Sequence, residues 1–176
     1  GVGSMVSSFI LTYYARTGVP VIAVSAARAA TDSAYWASAG AKNALLDKFI
    51  RTRSYMQLNN IRLRRAFVVW QQGESDAMEG VSIEQYKANL LAAFSPLFAN
   101  GLERVYVITP GKSKGNIVSY DAIIQAQIDL CLNDPRFTLA TTQLHSMSES
   151  ALKDELHYGQ GALNTIGAAA ANAAAQ

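Results

Sequence analysis

Apolar positions along the chain fall into two alternating textures. Short runs rich in β-branched residues are separated by longer stretches in which apolar residues return every three or four positions. Val19-Pro20-Val21-Ile22-Ala23-Val24 is one of the short runs, with Gly18 before it and a loop of small residues behind, and it reads as a buried strand. Ala66-Phe67-Val68-Val69-Trp70 is a second strand, and Arg104-Val105-Tyr106-Val107-Ile108-Thr109 a third, closed by Pro110-Gly111. Phe137-Thr138-Leu139-Ala140 is a shorter, weaker fourth. The longer stretches read as helices. Residues 4–17 carry the stripe Phe9, Ile10, Tyr13 and Tyr14, and residues 44–57 put Leu45, Phe49 and Met56 on one side. Residues 82–98 open on Ser82 with Gln85 three positions later, a capping-box spacing. Residues 120–132 stop at Asn133-Asp134-Pro135, and residues 162–176 are so rich in alanine that helix is the default.

Strands that are apolar nearly throughout, alternating with helices, have to be covered on both faces, which is the habit of a parallel sheet in an α/β fold. The predicted architecture is a three-layer α/β/α sandwich with a mostly parallel sheet. A length of 176 residues suits one domain, residues 1–176. One feature is out of order, because the chain opens on a helix that precedes the first strand.

Composition narrows the function classes. Half the residues are hydrophobic and 16% are charged, which excludes a disordered chain. Fifteen Lys+Arg against thirteen Asp+Glu leave a charge of +2, too near neutral for a nucleic-acid backbone as the main partner. The cluster Arg51, Arg53, Arg62, Arg64 and Arg65 lacks alternating aromatics and reads as a solvated edge. A single cysteine, Cys131, falls in an apolar helical stretch and reads as a small core residue. One cysteine and two histidines cannot close a zinc shell, so no metal is expected. No apolar run is long enough to span a membrane. Gly111-Lys112-Ser113-Lys114-Gly115 is not a phosphate-cradling loop, and no cofactor is expected.

Three polar clusters follow predicted strands. Trp70-Gln71-Gln72-Gly73-Glu74-Ser75-Asp76 sits at a strand's carboxyl end, where open α/β sheets place their ligand crevice. On pattern alone a plain strand-to-helix turn, with Gly73 supplying a positive φ, accounts for it slightly better. In Asp154-Glu155-Leu156-His157, an aspartate three residues ahead of a histidine can accept from one ring nitrogen and leave the other as a base. The spacing by itself is common on surfaces. The loop Ser25-Ala26-Ala27-Arg28-Ala29-Ala30-Thr31 has so little bulk that a ligand could approach its backbone. His145 has no comparable carboxylate nearby and reads as a loop residue.

In this order the three clusters resemble the sialate O-acetylesterase-like carbohydrate esterases, a branch of the SGNH (GDSL-like) hydrolases. Residues 70–76 are similar to that family's W-x-Q-G-E-x-D block, and Asp154-x-x-His157 to its last block. Tyr158 and Asn164-x-x-Gly167-x-x-Ala170 match the run that follows, and Val24-Ser25 with Thr31 and Trp36 resembles the second block. The resemblance covers about residues 1–171. It implies serine-dependent removal of O-acetyl groups from a carbohydrate, without metal, on a flavodoxin-like sheet. It implies His157 as general base, Asp154 as its orienting acid and the Gln72 carboxamide as an oxyanion donor. The backbone near Ala29 or Ala30 would supply a second donor, with Gly73 and Glu74 in the same oxyanion and substrate-binding group. Glu74 and Asp76 would also brace the loop.

The chain departs from the family pattern twice. Ala29-Ala30-Thr31 stands where the family usually has Gly-Gly-Thr, so a left-handed residue there would cost on the order of 1 kcal/mol. Gly1-Val2-Gly3-Ser4 looks like the family's helix start and not its nucleophile block, which places the serine before residue 1. Ser4 is the competing nucleophile. In strand order 2-1-3-4-5 the first strand is interior. Residues 19–24 and 66–70 are therefore expected to flank a vacancy, filled by a complementary N-terminal segment, a second subunit or residues beyond the sequence. The rival function is a truncated, non-catalytic remnant that binds a glycan or a partner.

Overall fold

The computed structural model describes residues 3–176; of the anticipated helix start, Gly1 and Val2 lie outside the described residues. Three strands, β1 (Phe67–Gln71), β2 (Arg104–Ile108) and β3 (Phe137–Thr141), form an all-parallel sheet in the order β1-β2-β3. The register runs from Phe67 opposite Arg104 to Gln71 opposite Ile108, and from Val105 opposite Phe137 onward, with an irregularity after Val107. The helices are α1 (Val6–Thr17), α2 (Ser33–Ala37), α3 (Ala39–Leu58), α4 (Glu74–Glu79), α5 (Ile83–Ala99), α6 (Asp121–Asn133), α7 (Gln143–Ser146) and α8 (Gln160–Ala174). The fold is the expected α/β class, with helices on both faces of a parallel sheet.

Alternation along the strands sorts the core into two layers. Trp70, Val105 and Val107 face α5 and α6, where Tyr86, Leu90, Phe94, Leu97, Ile123 and Ala126 close over them. An aromatic chain from Trp36 through Trp70 and Phe94 to Phe137 runs through this layer, each pair tilted edge to face. Tyr106 and Ile108 face the other way, onto α1 and α8. These two helices pack closely because α8 presents Gly167, Ala170, Ala171 and Ala174. A Cβ on Gly167 would lie 2.5 Å from the Met5 carbonyl oxygen, so that seam admits only glycine. The alanine-rich end of the chain is thus a buried helix in the second layer. Ser82 does cap α5, accepting from the Gln85 N–H at 3.1 Å, but the Gln85 side chain bonds Asn89 and leaves the capping box half made.

Residues 19–24 are the main correction. They form no strand, and among the described residues the sheet has three strands where four were expected. Val19 and Val21 lean on the α1/α8 layer, while Ile22 and Val24 are 51% and 48% exposed. A β-branched run becomes a strand only when a neighbour takes up its N–H and C=O groups, and here none does. The same fact leaves β1 as an edge strand, paired on one side only among the described residues, with Phe67, Val68 and Val69 only part-buried and Trp70 alone buried. His145 is corrected too: it lies on α7, with Nδ1 3.2 Å from the Gly111 carbonyl oxygen. Cys131 is half-buried against the first layer, and burial pushes its thiol up to about 12, so it is an unreactive packing residue.

Candidate active site

All three strands are parallel, so the segments after Gln71, Ile108 and Thr141 emerge at one end of the sheet. The turn after β1 depends on Gly73, whose φ of 143° is open only to glycine. It also touches α6 so closely that a Cβ would meet Ile123 Cγ2 at 2.6 Å and Pro110 at 3.4 Å. Sequence and packing therefore agree on one residue, and the turn aims Gln72 back into the first layer.

Gln72 is the centre of a buried polar network. Its Nε2 donates to the Thr31 carbonyl at 3.1 Å and to Asp76 Oδ2 at 2.5 Å, and its Oε1 accepts from the Tyr86 hydroxyl at 3.1 Å. Asp76 is fully buried and also accepts from the Ser33 N–H at 3.0 Å and from the Ser33 hydroxyl. Asn89 donates to Ser33 Oγ at 2.9 Å and in turn accepts from Gln85. Three donors, the Gln72 amide and the N–H and hydroxyl of Ser33, thus converge on a carboxylate that would otherwise be costly to bury. Asp76 ties α2, α4 and the Gln72 loop together. Glu74, at the start of α4, accepts from Gln71 Nε2 at 2.6 Å.

The loop before α2 is held by Thr31, whose hydroxyl donates to the Arg28 carbonyl at 2.9 Å and accepts from the Trp36 indole at 3.1 Å. With Gln72 on its carbonyl, Thr31 links that loop to the end of β1. Ala30 takes a φ of 52°, the left-handed region in which an alanine is strained. Ala29 and Ala30 are both exposed, so their backbone is open to solvent.

Asp154 and His157 meet on the loop between α7 and α8. His157 Nδ1 lies 2.9 Å and 3.0 Å from the two carboxylate oxygens of Asp154. An ionised carboxylate only accepts, so Nδ1 carries a proton, and in the neutral ring Nε2 then holds the lone pair. Asp154 Oδ1 also accepts the backbone N–H groups of Leu156 at 3.0 Å and His157 at 2.7 Å. Those two amides, followed by the His157 ring, hold the Asp154 carboxyl down at about 2. Both side chains are about half exposed, which leaves Nε2 accessible. Tyr158 anchors the loop: its buried hydroxyl donates to the Leu144 carbonyl and accepts the Lys112 N–H, each at 3.0 Å. Glu74 is close enough to Tyr120 and Tyr158 to add to the effect of burial in raising both phenols, Tyr120 up to about 12. Gly73 approaches Pro110, and Tyr158 bonds the Lys112 N–H, so both loops touch the segment that follows β2; no hydrogen bond joins the Gln72 and His157 side chains among the described residues.

Ser4 lies just before α1, against the first turn of α8. Its hydroxyl accepts from the Val6 N–H at 3.1 Å, and Gln160 clamps its backbone through N–H (3.1 Å) and C=O (2.8 Å). Sequence reasoning missed Ser33, Tyr86, Asn89 and Gln127 as members of the network. The signal was a polar residue at a core-facing helical position, such as Gln127 between Ile123 and Leu130.

The Asp154–His157 pair and the Gln-Gly-Glu turn lie on loops of an α/β protein whose strands are all parallel, and open α/β sheets place their ligand crevices beyond the carboxyl ends of such strands. The match to known families is more specific. The family model for carbohydrate esterase, sialic acid-specific acetylesterase, matches residues 1–176, and the chain belongs to that family. No curated protein and no solved structure matches it.

Proposed function

We propose that this chain supplies the base, the orienting acid and the oxyanion side of a serine esterase that removes O-acetyl groups from a carbohydrate. The observation that carries the reading is the doubly bonded Asp154–His157 pair, with Nε2 left free at the end of the sheet where the Gln72 loop lies. Membership in a carbohydrate acetylesterase family supports the substrate class. In the proposed cycle a serine hydroxyl attacks the acetyl carbonyl as His157 Nε2 takes its proton. The imidazolium, stabilised by Asp154, then protonates the departing sugar oxygen. Water hydrolyses the acetyl-serine by the same route, returning the proton through His157. Gln72 keeps its Asp76 bond and exchanges its 3.1 Å bond to Thr31 for the developing oxyanion. A backbone N–H at Ala29 or Ala30 is the second donor.

The serine arrives on a complementary strand that lies against the free edge of β1, beside residues 19–24. Two features support this. β1 is apolar like an interior strand yet paired on one side, and residues 19–24, rich in β-branched side chains, pair with no strand among the described residues. Exposed edges of that kind are normally covered or charged. In the completed enzyme His157→Ala abolishes nearly all release of acetate from an O-acetylated sugar. Gln72→Ala lowers turnover about a hundredfold, the worth of one oxyanion donor. Unchanged turnover in Gln72→Ala reduces Gln72 to a brace, and full activity in His157→Ala rejects the mechanism. The non-catalytic alternative is favoured by one observation, that both N–H groups of Gln72 are already engaged. It predicts glycan binding with no acetate released even when the strand is present.

A further inference from the structure

Tyr86 is completely buried in α5, yet its hydroxyl oxygen has four polar neighbours. Gln127 Nε2 donates to it at 2.7 Å and the Trp70 indole N–H points at it from 3.4 Å. Its own proton has two acceptors in reach, Gln72 Oε1 at 3.1 Å and the Gln72 carbonyl at 3.2 Å. The carbonyl already receives the second Gln127 N–H at 2.8 Å, so the hydroxyl proton goes to Oε1. On the far side of the Gln72 carboxamide stand the Thr31 carbonyl and Asp76, both of which can only accept. A donor on one side and two acceptors on the other leave the amide one orientation, oxygen toward Tyr86 and nitrogen toward the site. A hydrogen bond received at Oε1 also draws electron density from the nitrogen and strengthens its N–H groups as donors.

We infer that Tyr86, held by Gln127, is a positioning residue that fixes and polarises the Gln72 carboxamide. This deepens the esterase reading and rests on it for the catalytic consequence, though the effect on Gln72 is measurable without catalysis. The arrangement is layered: α6 supplies Gln127, α5 supplies Tyr86, and the turn at Gly73 presses Gln72 against both. A side chain at position 73 would come within 3.6 Å of Gln127 Nε2, so the close approach belongs to the same device.

The test is the side-chain amide pair of Gln72 in the ¹⁵N-labelled chain, identified by its loss in Gln72→Glu. Tyr86→Phe keeps the ring and removes only the hydroxyl. It is expected to move the Gln72 proton shifts toward free-amide values and to speed their exchange with water roughly fivefold, one hydrogen bond's worth. Should that variant fold poorly, Gln127→Glu is the second probe. Its carboxylate draws the Tyr86 proton away from Oε1 and is expected to produce the same change with the tyrosine intact. An unmoved Gln72 pair in either folded variant overturns the inference. In the strand-completed enzyme Tyr86→Phe should lower kcat and leave KM nearly unchanged. If the amide pair moves but kcat does not, positioning stands and the oxyanion role of Gln72 falls.

Discussion

Two β-branched runs, residues 104–108 and residues 19–24, have similar sequences and reach opposite outcomes. In the first, Val105 and Val107 of β2 are fully buried, paired in register and roofed by α5 and α6. In the second, Val24 and Ile22 have the same β-branched character but remain about half exposed and form no ladder. Propensity and pattern are matched, so the difference lies in whether a neighbouring strand is present to receive the backbone. The candidate site straddles this divide. Gln72, Asp76 and Tyr86 belong to the closed side, and Ala29 and Ala30 to the open one, with Thr31 bonded across.

The two positive-φ residues of the site divide the same way. Gly73, on the closed side, combines a φ of 143° with a Cβ position blocked by Ile123. Gly73→Ala is expected to destabilise the protein by about 2–4 kcal/mol, from backbone strain plus overpacking. Urea unfolding measures it, and a loss under 1 kcal/mol would mean that the loop is as adaptable as the open side.

A pair of identical truncations reads the comparison directly. Val105→Ala removes buried methyls and should cost about 2 kcal/mol. Val24→Ala in residues 1–176 should cost less than about 0.5 kcal/mol, as at an ordinary surface site. Once the complementary strand is bound, the Val24 cost should rise toward the Val105 value. Equal costs without the strand would erase the distinction between the two sides.

The smallest effect concerns Ala30. Replacing it by glycine relieves the cost of φ 52° but frees the unfolded chain, so Ala30→Gly should stabilise by no more than about 1 kcal/mol. A destabilisation in the same unfolding assay would show that the left-handed turn is not strained.

The α/β class, the three strands of the sheet and the Asp154–His157 pairing were legible in the sequence because each rests on local pattern or short spacing. Gly73 was legible as well, since a glycine between polar residues after a strand has few other uses. The fate of residues 19–24 was not, because their pattern states what they would bury and says nothing of whether a partner is there. The network behind Gln72 was hidden for a different reason. Ser33, Tyr86, Asn89 and Gln127 lie on three different helices, and only the packed fold brings their polar atoms to one carboxamide. Ala30 stood between, flagged by its departure from a glycine pattern but settled as left-handed only by its φ.

On the proposed reading the base and oxyanion side reside in residues 1–176 while the nucleophile comes on a strand against β1. Labelling with a serine-reactive fluorophosphonate, followed by mapping of the modified residue, tests it most directly. Residues 1–176 by themselves should stay unlabelled, and a form that includes the complementary strand should take up one label on a serine of that strand, lost in His157→Ala. A label on Ser4 or another serine of residues 1–176, or a completed form that labels equally well without His157, would contradict the account.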